Sequence, residues 1–279
     1  MFKKKKIFDK FFDLIGQLEA NYPKDPFGKK PTTNIENYYK KFNEVKNINH
    51  PEIEQLEKDY GYSINKEWID ELALYTQITI KKSKLNYQHG RLLYTVLRRY
   101  IEDKNYDNFI NVLETGTSRG FSTICMSKAI NDGEILGKIF TFDILPHDKK
   151  MYWNVFFDNY GKSSRQDLLQ KWKKELKNII FIQGSSRTQM KKTHLDRINF
   201  AFLDAEHTYK DVLSEYEYVS HKQIKGDIIV FDDVTPGTFN GVVKAVRKIK
   251  DESIYEVKYI KSSDKRGYAI AKKNVWTFL

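Results

Sequence analysis

The sequence predicts an α/β fold, with a doubly wound sheet of seven strands, one of them antiparallel, and a helical cap ahead of it. From Phe109 onward, short apolar runs alternate with helical segments, the pattern of parallel strands joined by crossover helices. The last two runs, Glu256–Lys261 and Gly267–Ala271, leave no room for a helix between them, so they form a hairpin and add the antiparallel member. Before Phe109 the apolar residues recur at helical spacing instead.

In chain order, Ile7, Phe8, Phe11, Phe12, Ile15 and Leu18 make an amphipathic first helix behind a run of lysines. Asp9, Lys10 and Asp13 break the continuous apolar stretch that a secretory signal needs. The helix is expected to dock on its own domain or to pair two copies rather than lie on a membrane, because its stripe is short and carries acidic residues. Asn21 to Asn49, with Pro23, Pro26, Pro31 and many Asn and Lys, reads as a loop with short turns at most. Pro51–Tyr60 and Lys66–Thr79 read as helices, and Gly90–Asp103 places Leu92, Leu93, Val96, Leu97 and Tyr100 on one face. Residues 1–88 are therefore assigned to a helical cap and 89–279 to the main domain. The remaining strands are expected at Phe109–Glu114, Lys138–Asp143, Ile179–Gln183, Asn199–Asp204 and Asp227–Asp232.

With 279 residues and 40% hydrophobic content, the chain holds one sizeable core plus an extension. Forty-eight Lys and Arg against 37 Asp and Glu give a formal charge of +11, which raises the question of an acidic partner. The charges are scattered, and Lys- and Asn-rich usage is also what an AT-rich coding sequence yields. The single Cys125 excludes an internal disulfide or a multi-thiolate metal cluster and fits a reducing compartment. No run is long and apolar enough for a membrane span, so a cytoplasmic location is expected.

The chemistry-bearing segment is Glu114-Thr115-Gly116-Thr117-Ser118-Arg119-Gly120-Phe121-Ser122, at the end of the first strand. Two glycines suit a tight turn against a ligand, and the helix that follows offers free N–H groups to a carboxylate. The intermediate glycine of a nicotinamide fingerprint is missing. The second strand ends in Asp143, where an acidic residue can accept hydrogen bonds from both hydroxyls of a ribose.

The stretch E-T-G-T-S-R-G-F-S resembles the first motif of class I S-adenosylmethionine-dependent methyltransferases, E-x-G-x-x-x-G-x-S in catechol-type and sugar-type O-methyltransferases. The later block F-L-D-A-E-H-T-Y-K-D-V, leading to G-D-I-I-V-F-D-D-V, is similar to that of the bacterial macrocin- and aminocoumarin-type sugar O-methyltransferases. The resemblance runs from about Gln88 to Ala271 and implies a Rossmann-like domain. It implies that Glu114, Gly116, Gly120 and Ser122 form the cofactor turn, with Ser122 at the methionine carboxylate. Asp143 would hold the ribose and Ser186 the adenine, although many relatives carry an acidic residue at the position of Ser185.

Asp204, Asp232 and Asp233 close the fourth and fifth strands at the ligand-binding edge. Crowded carboxylates repel unless a cation neutralises them, and an all-oxygen set suits Mg²⁺. The alternative is that Asp232 and Asp233 cap a turn while Asp204 bonds the amine of the cofactor. Two bases remain open. Glu206 stands where the resemblance places an acidic base in the sugar enzymes, and His207 where it places a lysine in the catechol enzymes; His207 also has the ordinary pKa nearest neutrality. Aromatic residues between Ile144 and Gln170 fit either a lid over a sugar or ordinary packing.

The expected function is transfer of a methyl group to a hydroxyl of a small acceptor, a glycosyl group by analogy, with no nucleic acid as partner. The N/D-P-P-Y/F motif of many nucleic-acid amino-methyltransferases is absent. Methylation of nucleic acid or protein, and a cofactor-binding scaffold without catalysis, are the competing readings.

Overall fold

The computed structural model describes residues 25–103 and 109–275. The expected first helix, residues 7–18, lies outside the described residues. The first described helix, α1 (Ile35–Val45), corrects the reading of Asn21 to Asn49 as a loop. Asn34 caps it by accepting the Asn37 N–H, and Ile35, Tyr38, Phe42 and Val45 repeat at helical spacing. Helix α2 (Pro51–Tyr60) has proline in its first turn and stops at Gly61 in the left-handed region, φ +78°. Helix α3 spans Lys66–Thr76, three residues shorter than expected at its end, and is capped by Asn65. Helix α4 covers Gln88–Asp103.

The sheet contains β1 (Phe109–Thr115), β2 (Leu136–Asp143), β3 (Ile179–Gln183), β4 (Phe200–Leu203), β5 (Ile228–Phe231), β6 (Tyr255–Lys261) and β7 (Gly267–Lys273). The intervening helices are α5 (Phe121–Asp132), α6 (Arg165–Leu168), α7 (Lys173–Leu176), α8 (Ser186–Thr193), α9 (Tyr209–Ser220) and α10 (Asn240–Asp251). Strand order is β3-β2-β1-β4-β5-β7-β6, with β7 antiparallel to both neighbours and the other described pairings parallel. Strands β4 and β5 are buried throughout, so their Phe-Ala-Phe-Leu and Ile-Ile-Val-Phe runs need no polar face.

Side chains alternate between two cores. Val112, Phe200, Phe202 and Val230 join the helices on one face, while Leu113, Ala201, Leu203 and Phe231 pack beneath α8, α9 and α10 on the other. The first core continues into the cap through Tyr38, Ile53, Leu56, Ile69 and Leu72. The cap helices thus share one apolar interior with the sheet, which fixes their loops above the strand ends. The aromatic segment after β2 buries Met151, Trp153 and Val155 with Leu145 and Leu168, so most of it is packing. Among the described residues no helix is long and apolar enough to cross a membrane.

Candidate active site

Strand order reverses between β1 and β4, and a cavity of about 470 Å³ opens there beyond the C-terminal strand ends. Register explains which residues meet. Thr115 lies opposite Leu203, and Leu203 opposite Phe231, so the next residues, Gly116, Asp204 and Asp232, emerge side by side. Gly116 has φ +87°, and a Cβ there would fall 2.2 Å from the Asp204 carbonyl oxygen. Both facts require glycine.

Gly120, φ +88°, is the N-cap of α5 and supplies no side chain to its first turn. The N–H groups of that turn and the positive end of the helix are therefore left for a ligand anion. Ser122 lines the cavity, but its hydroxyl donates to Glu114 Oε1 at 2.5 Å. Glu114 is wholly buried and accepts further hydrogen bonds from Thr123 and Thr141. It does not line the cavity; its three hydroxyl partners tie β1, β2 and α5 together beneath the turn.

Asp143 reaches the cavity at the end of β2. It accepts the N–H groups of Ser118 and, at 2.7 Å, of Leu145, with the Arg165 guanidinium 3.7 Å away. Burial raises its pKa, and Arg165 and the two N–H donors work against that rise. Ser186 stands at the opening of α8 on the same wall, its hydroxyl donating to Glu215 Oε1 at 2.6 Å. Thr115 donates to the other oxygen of Glu215 at 3.0 Å. Burial lifts the Glu215 pKa to about 7.

The opposite wall is acidic. Asp204 keeps 26% of its side chain exposed, while Asp232 and Asp233 are buried. Burial and the neighbouring Asp232 and Asp233 raise the Asp204 pKa well above the carboxylate range. Burial brings Asp232 to about 6. The Asp232 carboxylate turns back to accept the Asp233 N–H at 2.7 Å. Asp233, with φ +55°, swings into the cavity between two basic side chains. His207 Nε2 lies 3.0 Å from Asp233 Oδ2 and 3.9 Å from Asp204 Oδ1, and Arg266 Nε lies 3.0 Å from Asp233 Oδ1. Contact with Asp233 raises the His207 pKa, and the ring is stacked on Phe239, centroids 4.5 Å apart. Glu206 lines the cavity beside His207.

Ligand atoms of Asp204, His207 and Asp233 lie within 4.8 Å of one another. The group that converges closely enough for a shared cation therefore contains His207, with Asp232 outside it. Arg266 is the unforeseen residue closest to the acidic wall. It enters from the β6–β7 hairpin, held down by Gly267, whose Cβ would sit 2.1 Å from the Val234 carbonyl oxygen. The carboxylates of Asp232 and Asp233 outweigh burial and raise the Arg266 pKa. Gln77, Lys81 and His89 also reach the cavity from the cap, unforeseen.

Residues 113–234 match a family described as a methyltransferase domain. That segment is thus similar to a methyltransferase domain, and it lies within a Rossmann-like fold. Solved structures share its fold at low identity. Cofactor-bound Rv0187 from MTB is 15% identical with a TM-score of 0.54, the match covering 76% of this chain and 91% of that one. The O-methyltransferase TomG from Streptomyces achromogenes, involved in tomaymycin synthesis and solved with SAM, is 14% identical with a TM-score of 0.52, covering 76% and 92%. An O-methyltransferase from Bacillus cereus in complex with SAH is 15% identical with a TM-score of 0.50, covering 86% and 100%. No curated protein matches the sequence.

Proposed function

We propose that this domain transfers the methyl group of S-adenosylmethionine to a hydroxyl of a small acceptor, a glycosyl group being the favoured scaffold. The observation that carries the proposal is the meeting, in one cavity, of a nucleoside-binding wall and an Asp233–His207 pair at 3.0 Å. The first wall fits the cofactor: the uncapped turn of α5 suits its carboxylate, Asp143 its ribose, and Ser186 its adenine. Bound there, the cofactor supplies a methyl group on a positive sulfur that departs as a neutral thioether.

An acceptor hydroxyl ionises too weakly to attack unaided, so a proton acceptor beside it is needed. His207 takes that proton, while Asp233 holds the ring and favours the imidazolium that forms. Arg266 fixes Asp233 from its other oxygen. Charged groups held in advance in this way need little reorganisation during the reaction.

The donor set of Asp204, His207 and Asp233, two carboxylates and an imidazole, also fits a divalent cation; the two carboxylates suit the expected Mg²⁺, whereas the imidazole favours a transition ion. A cation held there would act as a Lewis acid toward the acceptor oxygen. His207 would then be a ligand, and Glu206 would take the proton. Transfer of labelled methyl to a panel of hydroxylated acceptors, with and without chelator, separates the two readings. Full activity in chelator with loss in His207→Ala supports the histidine. Loss in chelator, restored by Mg²⁺ or another divalent cation and abolished in Glu206→Gln, supports the metal. Label entering RNA or protein instead of small acceptors would overturn the acceptor class.

A further inference from the structure

The cap makes the acceptor side of the cavity basic as well as acidic. Lys81 follows α3 and lines the cavity. Among the described residues its ammonium forms no hydrogen bond or ion pair. Its electrostatic neighbours include Arg266 and Arg119, both cations, along with Asp233 and Asp232. The carboxylates are already engaged, Asp233 by Arg266 and His207, and Asp232 by a backbone N–H. Arg266 pairs with Asp233 through Nε at 3.0 Å and lines the same cavity as Lys81.

A third group points the same way. His89, at the start of α4, is 5% exposed and lines the cavity, yet its Nδ1 has no hydrogen-bond partner. An unsatisfied buried nitrogen on the same cavity as an exposed ammonium that forms no described ion pair describes a surface that a polar ligand completes, since the nitrogen alone costs free energy that a ligand recovers. A neutral acceptor would leave the ammonium unpaired. An acceptor anion would pair with it and with the outer nitrogens of Arg266.

We propose that the acceptor is an anion, with a phosphate or carboxylate group held by Lys81 and Arg266 and a hydroxyl directed toward His207. The proposal rests on the function argued above for its acceptor and adds the acceptor's charge. The neutral imidazole of His89 contributes a hydrogen bond without further charge.

The test is a calorimetric titration of the full chain, first saturated with S-adenosylhomocysteine in chelator and then titrated with inorganic phosphate. Prior saturation occupies the α5 N-terminus, which would otherwise bind phosphate on its own. Wild type should bind phosphate. Lys81→Met should weaken binding at least about tenfold and Lys81→Arg should retain most of it, as expected for loss or retention of a charge-assisted contact. Lys82→Met, on the neighbour that does not line the cavity, should change nothing. Absence of phosphate binding, or equal binding by Lys81→Met, would overturn the proposal. Displacement of bound phosphate by glucose 6-phosphate identifies a phosphate-bearing acceptor, and displacement by glucuronate a carboxylate. Glucose displacing it as well as either would overturn the proposal. Failure of S-adenosylhomocysteine to bind would instead sink the proposed function, and the Lys81 contrast would then be read on the unloaded chain.

Discussion

Glu215→Gln is expected to stabilise the protein above neutral pH and to leave it nearly unchanged in mild acid, because this buried carboxyl titrates far from its ordinary value. It sits beneath Ser186 on the cofactor wall, accepting hydroxyl hydrogen bonds from Ser186 and Thr115. Burial raises its pKa from 4.5 to about 7, and the two hydroxyls only partly oppose this. The folded protein therefore holds a proton on Glu215 that the unfolded chain releases near pH 4.5. Between those values folding takes up a proton, so stability falls as pH rises, and the loss is complete above about 7. At about 1.36 kcal/mol per pH unit the loss amounts to roughly 3 kcal/mol. Glutamine has the shape of the protonated acid, accepts one hydroxyl hydrogen bond and donates to the other hydroxyl oxygen, and cannot ionise. Urea unfolding should show the variant more stable by roughly 3 kcal/mol at about pH 8 and within about 1 kcal/mol of wild type at about pH 5. A difference that does not change with pH, or a variant less stable at the higher pH, would refute the reasoning.

Gly116→Ala should lose about 2 kcal/mol or more of stability, because it adds a Cβ against the Asp204 carbonyl at a positive φ; thermal unfolding checks this, and cofactor affinity should fall with it. Asp143→Asn should weaken S-adenosylmethionine binding about tenfold to a hundredfold, the worth of a hydrogen bond to a charged group, with calorimetry as the measure. Arg266→Met removes the cation between Asp232 and Asp233, and chemical denaturation should register a loss of roughly 3 kcal/mol, as when one partner of a buried pair is deleted. His207→Ala should lower the transfer rate about a hundredfold or more while calorimetry shows cofactor affinity retained, if the imidazole acts on the acceptor alone.

The strands were legible because each pairs an apolar run with a turn signal, and β4 and β5, buried throughout, have no polar face to blur the pattern. Their ends located the cavity lining directly, since Asp143 ends β2 and Gly116 and Ser186 lie just beyond β1 and β3. Helix α1 was missed because proline and asparagine density outweighed a correct signal, Asn34 as cap and Ile35, Tyr38, Phe42 and Val45 at helical spacing. The acidic wall was half legible. Register places Asp204 beside Asp232, but the left-handed turn at Asp233, which brings in His207 and sends the Asp232 carboxylate to a backbone N–H, has no mark in residue type. Arg266, Lys81 and His89 were invisible for a different reason. Each is remote in sequence from the motifs, and only the antiparallel hairpin and the packed cap carry them to the strand ends.

The central claim is that this cavity binds S-adenosylmethionine for methyl transfer. Calorimetric titration of the full chain with S-adenosylmethionine tests it most directly. Saturable binding of one cofactor per chain is expected, weakened in Asp143→Asn and retained in Lys82→Met. The absence of binding heat over a range of temperatures, or affinity indifferent to Asp143, would contradict it.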